Sequence, residues 1–103
     1  MINPGIKFDG EKPRWELVPW TAMREAVKVM TKGAAKYSAD NWHKVDHYRY
    51  VGALYRHMDQ YLDPDQSDID EELGLHHLAC VACNALFLLW QAMNGKGENR
   101  RGA

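Results

Sequence analysis

The chain has 103 residues, of which 46% are hydrophobic and 26% charged, a composition typical of one globular domain. Thirteen basic residues balance fourteen acidic ones, and the formal net charge of −1 gives no overall field for bulk nucleic acid or an anionic membrane. The first residues lack the basic and apolar segments of a secretory signal, so we expect a cytoplasmic location. With only two cysteines no disulfide framework is possible, and stability must come from packing or oligomerisation.

Residues 1–19 are interrupted by turn signals and predict an extended arm rather than a helix. The signals are Asn3-Pro4-Gly5, Asp9-Gly10, Lys12-Pro13 and Val18-Pro19. Trp15, Leu17 and Trp20 make the arm apolar enough that we expect it to pack against the domain.

A first amphipathic helix is predicted from Pro19 to about Gly33. Its apolar residues recur at spacings of three and four, and Gly33 is a common type of helix stop. The following residues, 34–44, lose this periodicity but keep aromatic and basic side chains, which indicates an ordered loop.

A second helix is predicted over about residues 46–62, with His57 at the edge of its apolar stripe. An acidic connection follows over 63–72. Its alternating acids resemble an EF-hand loop, but Asp68 and Gly74 occupy the positions that require Gly and Glu, which excludes that motif. A solvated acidic loop and a segment that helps to hold a divalent cation both remain open.

A third helix is predicted from about 70–72 to Met93. It is apolar nearly all round, so protein must surround it, and it is too short to span a bilayer. The predicted fold is all-α: a small bundle of three main helices with an extended N-terminal arm, completed by a homo-oligomer through the third helix. The domain covers residues 1–93, and 94–103 form a mobile tail.

Three polar or sulfur-bearing features interrupt the third helix. Cys80-x-x-Cys83 has neither the additional ligands of a zinc site nor the helix N-terminus of a redox pair, so we interpret it as core packing. His77 and Asn84 lie seven residues apart on one face, where an unpaired Asn84 would cost about 1–3 kcal/mol. Two interpretations of Asn84 remain open. It makes a structural hydrogen bond, within the bundle or across a dimer axis. Alternatively, it belongs to a cavity with His57, His77 and a nearby carboxylate.

The loop after the first helix combines ammonium groups with flat aromatic rings. Such a mixture suits a nucleotide, because lysine neutralises phosphate, an aromatic ring stacks on a base, and asparagine reads a base edge. The alternative is a solvated loop in which Trp42 is a hydrophobic anchor. The residues concerned are Lys32, Lys36, Tyr37, Asn41, Trp42 and Lys44.

An ordered series of motifs spans residues 6–92 and resembles the phage dATP/dGTP diphosphohydrolase N-terminal domain family, which is similar to the all-α (MazG-like) nucleoside triphosphate pyrophosphatases. The motifs are Lys7-Phe8-Asp9-Gly10-Glu11-Lys12-Pro13, Leu17-Val18-Pro19, Lys32-Gly33-Ala34-Ala35-Lys36-Tyr37, Asn41-Trp42-His43-Lys44, Arg56-His57, Asp70-x-Glu72-x-Gly74-Leu75-x-His77-Leu78-Ala79 and Asn84. The resemblance implies cleavage of a purine deoxynucleoside triphosphate to the monophosphate and pyrophosphate, with a divalent metal, Mg²⁺ or Mn²⁺.

The resemblance also implies roles for particular residues. Nucleotide binding falls to Lys32, Lys36, Tyr37, Asn41, Trp42, Lys44, Arg56 and Asn84; catalysis falls to His57, Glu72 and His77; and the metal ligands come from Asp70, Glu72 and His77. Glu25, the lone acid on the first helix, is a further candidate metal ligand that no family motif marks. The paired Glu-x-x-Glu and Glu-x-x-Asp motifs of MazG-like enzymes do not occur in this sequence. A second hypothesis is therefore a non-catalytic nucleotide-binding protein that sequesters a nucleotide signal of host anti-phage defence.

Overall fold

Three α-helices make up most of the structure, a computed structural model that describes residues 4–97. They are Trp20–Lys36 (α1), His47–Leu62 (α2) and His77–Met93 (α3), with two short 3-10 helices at Trp15–Leu17 and Asn41–His43. The predicted all-α class is confirmed. None of the helices in the described range is both long and apolar enough to cross a membrane.

Helix α3 lies between the other two helices and packs more extensively on α2 than on α1. Its buried face carries the small residues Ala79, Cys80 and Cys83, which allow close approach of the neighbouring helices. Both cysteines are free, and burial raises the pKa of Cys80 to about 11 and that of Cys83 to about 12. They are neutral thiols in the core, which confirms the packing interpretation of the Cys80-x-x-Cys83 pair.

The predicted bounds of α1 and α2 agree with the structure to within a few residues. Helix α2 begins one residue after the predicted start, and α1 continues three residues past Gly33. Gly33 does not adopt the positive φ of a helix stop within this chain. Two alanines follow it, and their high helix propensity extends α1 to Lys36.

The predicted start of α3 at residues 70–72 is wrong, because the helix begins at His77. The preceding residues form a turn: Gly74 has φ of +70°, and the Asp70 carboxylate accepts a hydrogen bond from the backbone N–H of Leu73. Ile69 and His76 then form an isolated antiparallel bridge. His76 caps α3 by accepting from Leu78 N–H at 2.9 Å, so Asp70 and Glu72 lie on a loop.

Residues 4–18 of the N-terminal arm are extended as predicted, but they do not pack against the domain. Trp15 and Leu17 are 69% and 67% exposed, and the longest dimension of the described chain reaches 62 Å. The backbone hydrogen bonds of residues 4–18 close within the arm, for example from Lys12 N–H to the Asp9 carbonyl. These local turns direct the arm away from the helices.

Helix α3 was predicted to be apolar and surrounded by protein on all sides, but its two faces differ in polarity and exposure. The face towards α1 and α2 buries the polar residues His77, Asn84 and Gln91, whereas Leu89 and Met93 on the outer side are 57% and 76% exposed. The predicted mobile tail begins at residue 94, yet residues 94–97 fold back, with Lys96 N–H donating to the Gln91 carbonyl. Residues 98–103 lie outside the described range.

Candidate functional site

A cleft of about 940 Å³ lies between α1 and α2, with α3 as its floor. Residues 29–34 and Lys36 of α1 form one wall, and Arg49, Tyr50, Ala53, Arg56 and His57 of α2 form the other. Asp70, Glu72 and Leu73, between α2 and α3, also line it. The volume falls in the range of small-molecule and cofactor sites, and helical bundles build such sites between facing helices.

Among the residues that the structure describes, four cations line this cleft, two on each wall. Lys32 and Lys36 are one turn apart on α1, and Arg49 and Arg56 are two turns apart on α2. Lys32, Lys36 and Arg56 are predicted nucleotide-binding residues, whereas Arg49 is not among them. The near-neutral chain therefore concentrates positive charge at one place.

The two lysines also hold the acidic loop against α1. The Lys32 ammonium group donates to the Leu73 carbonyl, and Lys36 Nζ lies 2.9 Å from Glu72 Oε1. The hydrogen bond that Lys36 donates to Glu72 is the main cause of the raised pKa of Lys36. Both partners of this ion pair are exposed, so it contributes little to stability and a phosphate group can compete for Lys36.

The two predicted aromatic residues of the loop differ in what they contact. Trp42 stacks on Phe87 with ring centroids 4.5 Å apart and an interplanar angle of 6°, and it meets the edge of Trp90 at 4.7 Å. Core packing therefore occupies one face of Trp42. Tyr37 also lines the cleft but is 63% exposed, with Lys36 Nζ 5.2 Å from its ring centroid.

Three potential metal ligands meet beside the cleft: His57 from α2, Asp70 from the loop and His77 from the start of α3. One ligand atom from each lies within 4.8 Å of the others. The two Nδ1 atoms of the histidines are 3.1 Å apart, and His57 Nδ1 is 3.9 Å from Asp70 Oδ2. We call these three residues the His-Asp-His cluster.

The imidazole of His57 in the His-Asp-His cluster favours its neutral form. Burial is the main cause of the lowered pKa of His57, and it outweighs the opposing effect of the Asp70 carboxylate. The hydrogen bond between the two Nδ1 atoms also requires that one of them carries no proton. A neutral imidazole is the form that binds a metal or accepts a proton.

Asn84 is the polar group on the floor of the cleft. It is only 9% exposed, and within residues 4–97 its side-chain amide makes no hydrogen bond. Every fully buried side-chain polar atom in that range has a hydrogen-bond partner. The unpaired amide atoms of Asn84 are therefore not fully buried, and they reach the open cleft. A structural hydrogen bond from Asn84 to α1 or α2 is absent there, which leaves the amide available to a ligand.

The remaining predicted residues divide into those that reach the cleft and those that do not. Asn41 and Glu72 line it, whereas Lys44 does not. Glu25 lies outside it and pairs with Lys28 at 3.1 Å. Glu72 is tied to Lys36 rather than gathered with the His-Asp-His cluster.

Comparison with known proteins identifies the family of this chain. The family model of the dATP/dGTP diphosphohydrolase N-terminal domain matches residues 2–101. The chain belongs to this family. A curated dATP/dGTP diphosphohydrolase of Salmonella phage PMBT28 is 35% identical over 91 residues, which cover 87% of this chain and 30% of the phage protein. The chain thus spans less than a third of that relative, and no solved structure gives a significant match.

Sequence reasoning missed one buried polar residue of this diphosphohydrolase N-terminal domain. Gln91 is 1% exposed, and its Nε2 donates to the carbonyls of Trp42 and Val45 at 2.9 and 3.0 Å. Its Oε1 therefore accepts from Nδ1 of the buried His47 at 2.9 Å. Gln91 fastens the loop after α1 to α3, and its only sequence signal is a polar residue in the last turn of an apolar helix.

Arg49 is the second missed residue of the domain, and a signal for it exists. It lies seven residues before the predicted Arg56, so the two guanidinium groups share one face of α2. The helical period places Arg49 beside the cleft once Arg56 is assigned there.

Proposed function

We propose that this domain binds a purine deoxynucleoside triphosphate, dATP or dGTP, in the cleft and cleaves it to the monophosphate and pyrophosphate with a divalent metal. One observation carries the proposal: within residues 4–97, four cations and an exposed tyrosine line a single cleft of nucleotide size, and two members of the His-Asp-His cluster, His57 and Asp70, line it as well. The phage relative is named a dATP/dGTP diphosphohydrolase, which agrees with this activity.

The binding half of the proposal assigns the triphosphate to the cationic walls. Lysines neutralise phosphate as point charges, and the guanidinium groups of Arg49 and Arg56 add paired hydrogen bonds to phosphate oxygens. Tyr37 stacks on the base, and Asn41 and Asn84 supply amide groups for its polar edges or for the sugar. Lys44 supports this binding from outside the cleft, and Trp42 supports it from the cleft wall, where it also packs on the aromatic core.

The hydrolytic half assigns the reacting phosphate to the end of the cleft beside the His-Asp-His cluster. A divalent metal held by His57, Asp70 and His77 would neutralise phosphate charge and lower the pKa of a bound water. A phosphate that takes Lys36 releases Glu72 from its ion pair. The freed carboxylate is then available to accept the proton of the attacking water.

Product analysis tests the proposed activity. Purified protein is incubated with each deoxynucleoside triphosphate and with Mn²⁺ or Mg²⁺, and the products are separated by anion-exchange chromatography. We expect purine substrates to give the monophosphate and pyrophosphate in equal amounts. If the protein binds a nucleotide that is recovered intact after denaturation, the hydrolytic proposal fails.

A second candidate function is sequestration of a nucleotide signal of host anti-phage defence, without hydrolysis. The observation that favours it is the scarcity of acids: among residues 4–97, only Asp70 and Glu72 line the cleft, and Glu72 is paired with Lys36. Recovery of intact nucleotide from the complex supports this function, whereas recovery of the monophosphate alone contradicts it.

The two aromatic residues predict different phenotypes. Tyr37→Ala should weaken nucleotide binding about tenfold or more, because base stacking on an aromatic ring contributes about 1–3 kcal/mol, and should leave stability unchanged. Trp42→Ala should instead lower the free energy of unfolding by about 3 kcal/mol, because the ring packs on Phe87 and Trp90. Nucleotide titrations and denaturant unfolding of both variants separate the two roles; the opposite pattern would return the stacking role to Trp42.

We also propose that the domain forms a homo-oligomer, a dimer or larger, through the outer face of α3. Leu86, Leu89 and Met93 form an exposed apolar stripe at helical spacing, while only four apolar residues within 4–97 are fully buried. Packing this stripe against the same stripe of a second copy would bury apolar surface that is exposed in the single chain.

Leu89→Glu should shift the protein from oligomer to monomer in light scattering coupled to size exclusion, because it places a charge in the apolar stripe. Leu62→Glu is the matched control, since Leu62 is also an exposed leucine but lies at the end of α2. A wild-type protein that is monomeric at high concentration would contradict the proposed assembly.

A further inference from the structure

The His-Asp-His cluster has the donor set of a metal site that differs from the all-acid sites of Mg²⁺ enzymes. We propose that His57, Asp70 and His77 bind a transition-metal dication of the Mn²⁺, Co²⁺ or Zn²⁺ class in preference to Mg²⁺. The inference deepens the proposed function by naming the class of metal, and it is tested without nucleotide so that the two can fail separately.

The spacing of the donor atoms fits such an ion. Metal–nitrogen bonds of about 2.0–2.1 Å place neighbouring ligand atoms about 3.0–3.4 Å apart. The two Nδ1 atoms lie 3.1 Å apart. Asp70 Oδ2 is 3.9 Å from His57 Nδ1, and the three ligand atoms all lie within 4.8 Å of one another, so the carboxylate completes the set by moving towards the two imidazoles.

Asp70 is built so that one oxygen remains free for a metal. Its Oδ1 accepts a hydrogen bond from Leu73 N–H at 2.8 Å, which fixes the carboxylate within the turn before α3. Its Oδ2 faces His57. The turn at Gly74 and the late start of α3 therefore place this oxygen opposite the two histidines.

Two imidazoles decide the class of metal. Imidazole suits zinc, copper, iron and nickel, whereas Mg²⁺ prefers oxygen ligands in a near-ideal octahedron. No other group of three potential ligands occurs within residues 4–97, so that part of the chain offers no all-acid alternative. Three protein ligands also leave coordination positions open for water or a phosphate oxygen.

The cluster is partly sealed from solvent, as expected for a site that holds its ion without substrate. His77 is buried at 3% exposure, and the side chains of His57 and Asp70 are 19% and 17% exposed. The alternative is a structural contact in which one imidazole donates to the other and no metal binds. Metal titration of the free protein distinguishes these two states.

The experiment titrates EDTA-treated, nucleotide-free protein with Co²⁺ and Mn²⁺, measuring d–d absorption for Co²⁺ and loss of the free-ion EPR signal for Mn²⁺. We expect saturation at one ion per chain, and Co²⁺ at least about tenfold tighter than Mg²⁺ in competition. His57→Gln and Asp70→Asn should each weaken binding by about 10–100-fold or more, while His43→Gln, an imidazole outside the cluster, should not change it.

Asp70→Asn removes the charge but keeps the Oδ1 atom that accepts a hydrogen bond from Leu73 N–H, so the turn before α3 should remain folded. Far-UV circular dichroism checks that both variants are folded. Absence of Co²⁺ and Mn²⁺ binding by the wild-type protein would overturn the proposal. Undiminished binding in both variants, a sulfur-to-cobalt band from Cys80 or Cys83, or loss of binding in Glu25→Gln would place the ion elsewhere and would also overturn it.

Discussion

His57→Ala is expected to lower kcat for dATP or dGTP cleavage by at least about 100-fold, with less than about a threefold change in nucleotide affinity. His57 lines the cleft and contacts His77 and Asp70, whereas the proposed phosphate contacts come from the four cations Lys32, Lys36, Arg49 and Arg56. The change therefore removes an interaction with the reacting phosphate, not the contacts that bind the substrate. Steady-state kinetics and equilibrium binding measure the two effects separately.

His43→Ala is the matched control for this prediction. His43 is also an imidazole, but it stacks on Trp90 with ring centroids 4.5 Å apart and does not line the cleft. We expect its kcat to remain within about threefold of the wild-type value. If His57→Ala loses affinity and turnover in equal proportion, or changes neither, His57 has no special role in the chemical step.

Gln91→Leu is expected to lower the free energy of unfolding by about 3 kcal/mol, because it leaves buried hydrogen-bonding groups without a partner. The groups concerned are the carbonyls of Trp42 and Val45 and the Nδ1–H of His47. For a domain of this size the melting temperature should fall by more than about 10 °C. The loop after α1 should loosen as well, and nucleotide binding should weaken with it.

Gln66→Leu makes the same chemical change in the exposed acidic loop and is expected to alter the unfolding free energy by less than about 0.5 kcal/mol. Chemical denaturation of the two variants, with hydrogen exchange at residues 41–47, checks both the loss of stability and its location. A Gln91→Leu protein as stable as the control would show that the buried hydrogen bonds contribute no net stability.

Periodicity and punctuation predict most of the fold because they act locally. The apolar spacing of residues 46–62 predicts α2 to within one residue, and turn signals predict the extended arm. These local signals mispredict the structure where a turn or a contact between separate residues overrides them. The acids at 70–72 resemble a helix start, but a turn at Gly74 and the bridge between Ile69 and His76 delay α3 to His77.

Most of the candidate site is predictable because its residues carry unusual chemistry in conspicuous places. Lys32, Lys36, Arg56 and Asn84 all line the cleft. Glu25 does not line the cleft and pairs with Lys28 instead. Its position could not be predicted, because residue type alone does not show which side of α1 faces the cleft. Arg49 was not predicted as a site residue, because a charged residue on a helix is usually exposed to solvent.

The sequence by itself determines the all-α class, the positions of α1 and α2, and the residue types that make a nucleotide site plausible in a chain of net charge −1. Only the tertiary structure decides that Trp42 belongs to an aromatic core while Tyr37 stays exposed, and that Gln91 fastens the loop to α3. It also brings His57, Asp70 and His77 within 4.8 Å. The reason is physical: helical periodicity is encoded in neighbouring residues, whereas the meeting of side chains from separate segments depends on how the helices pack.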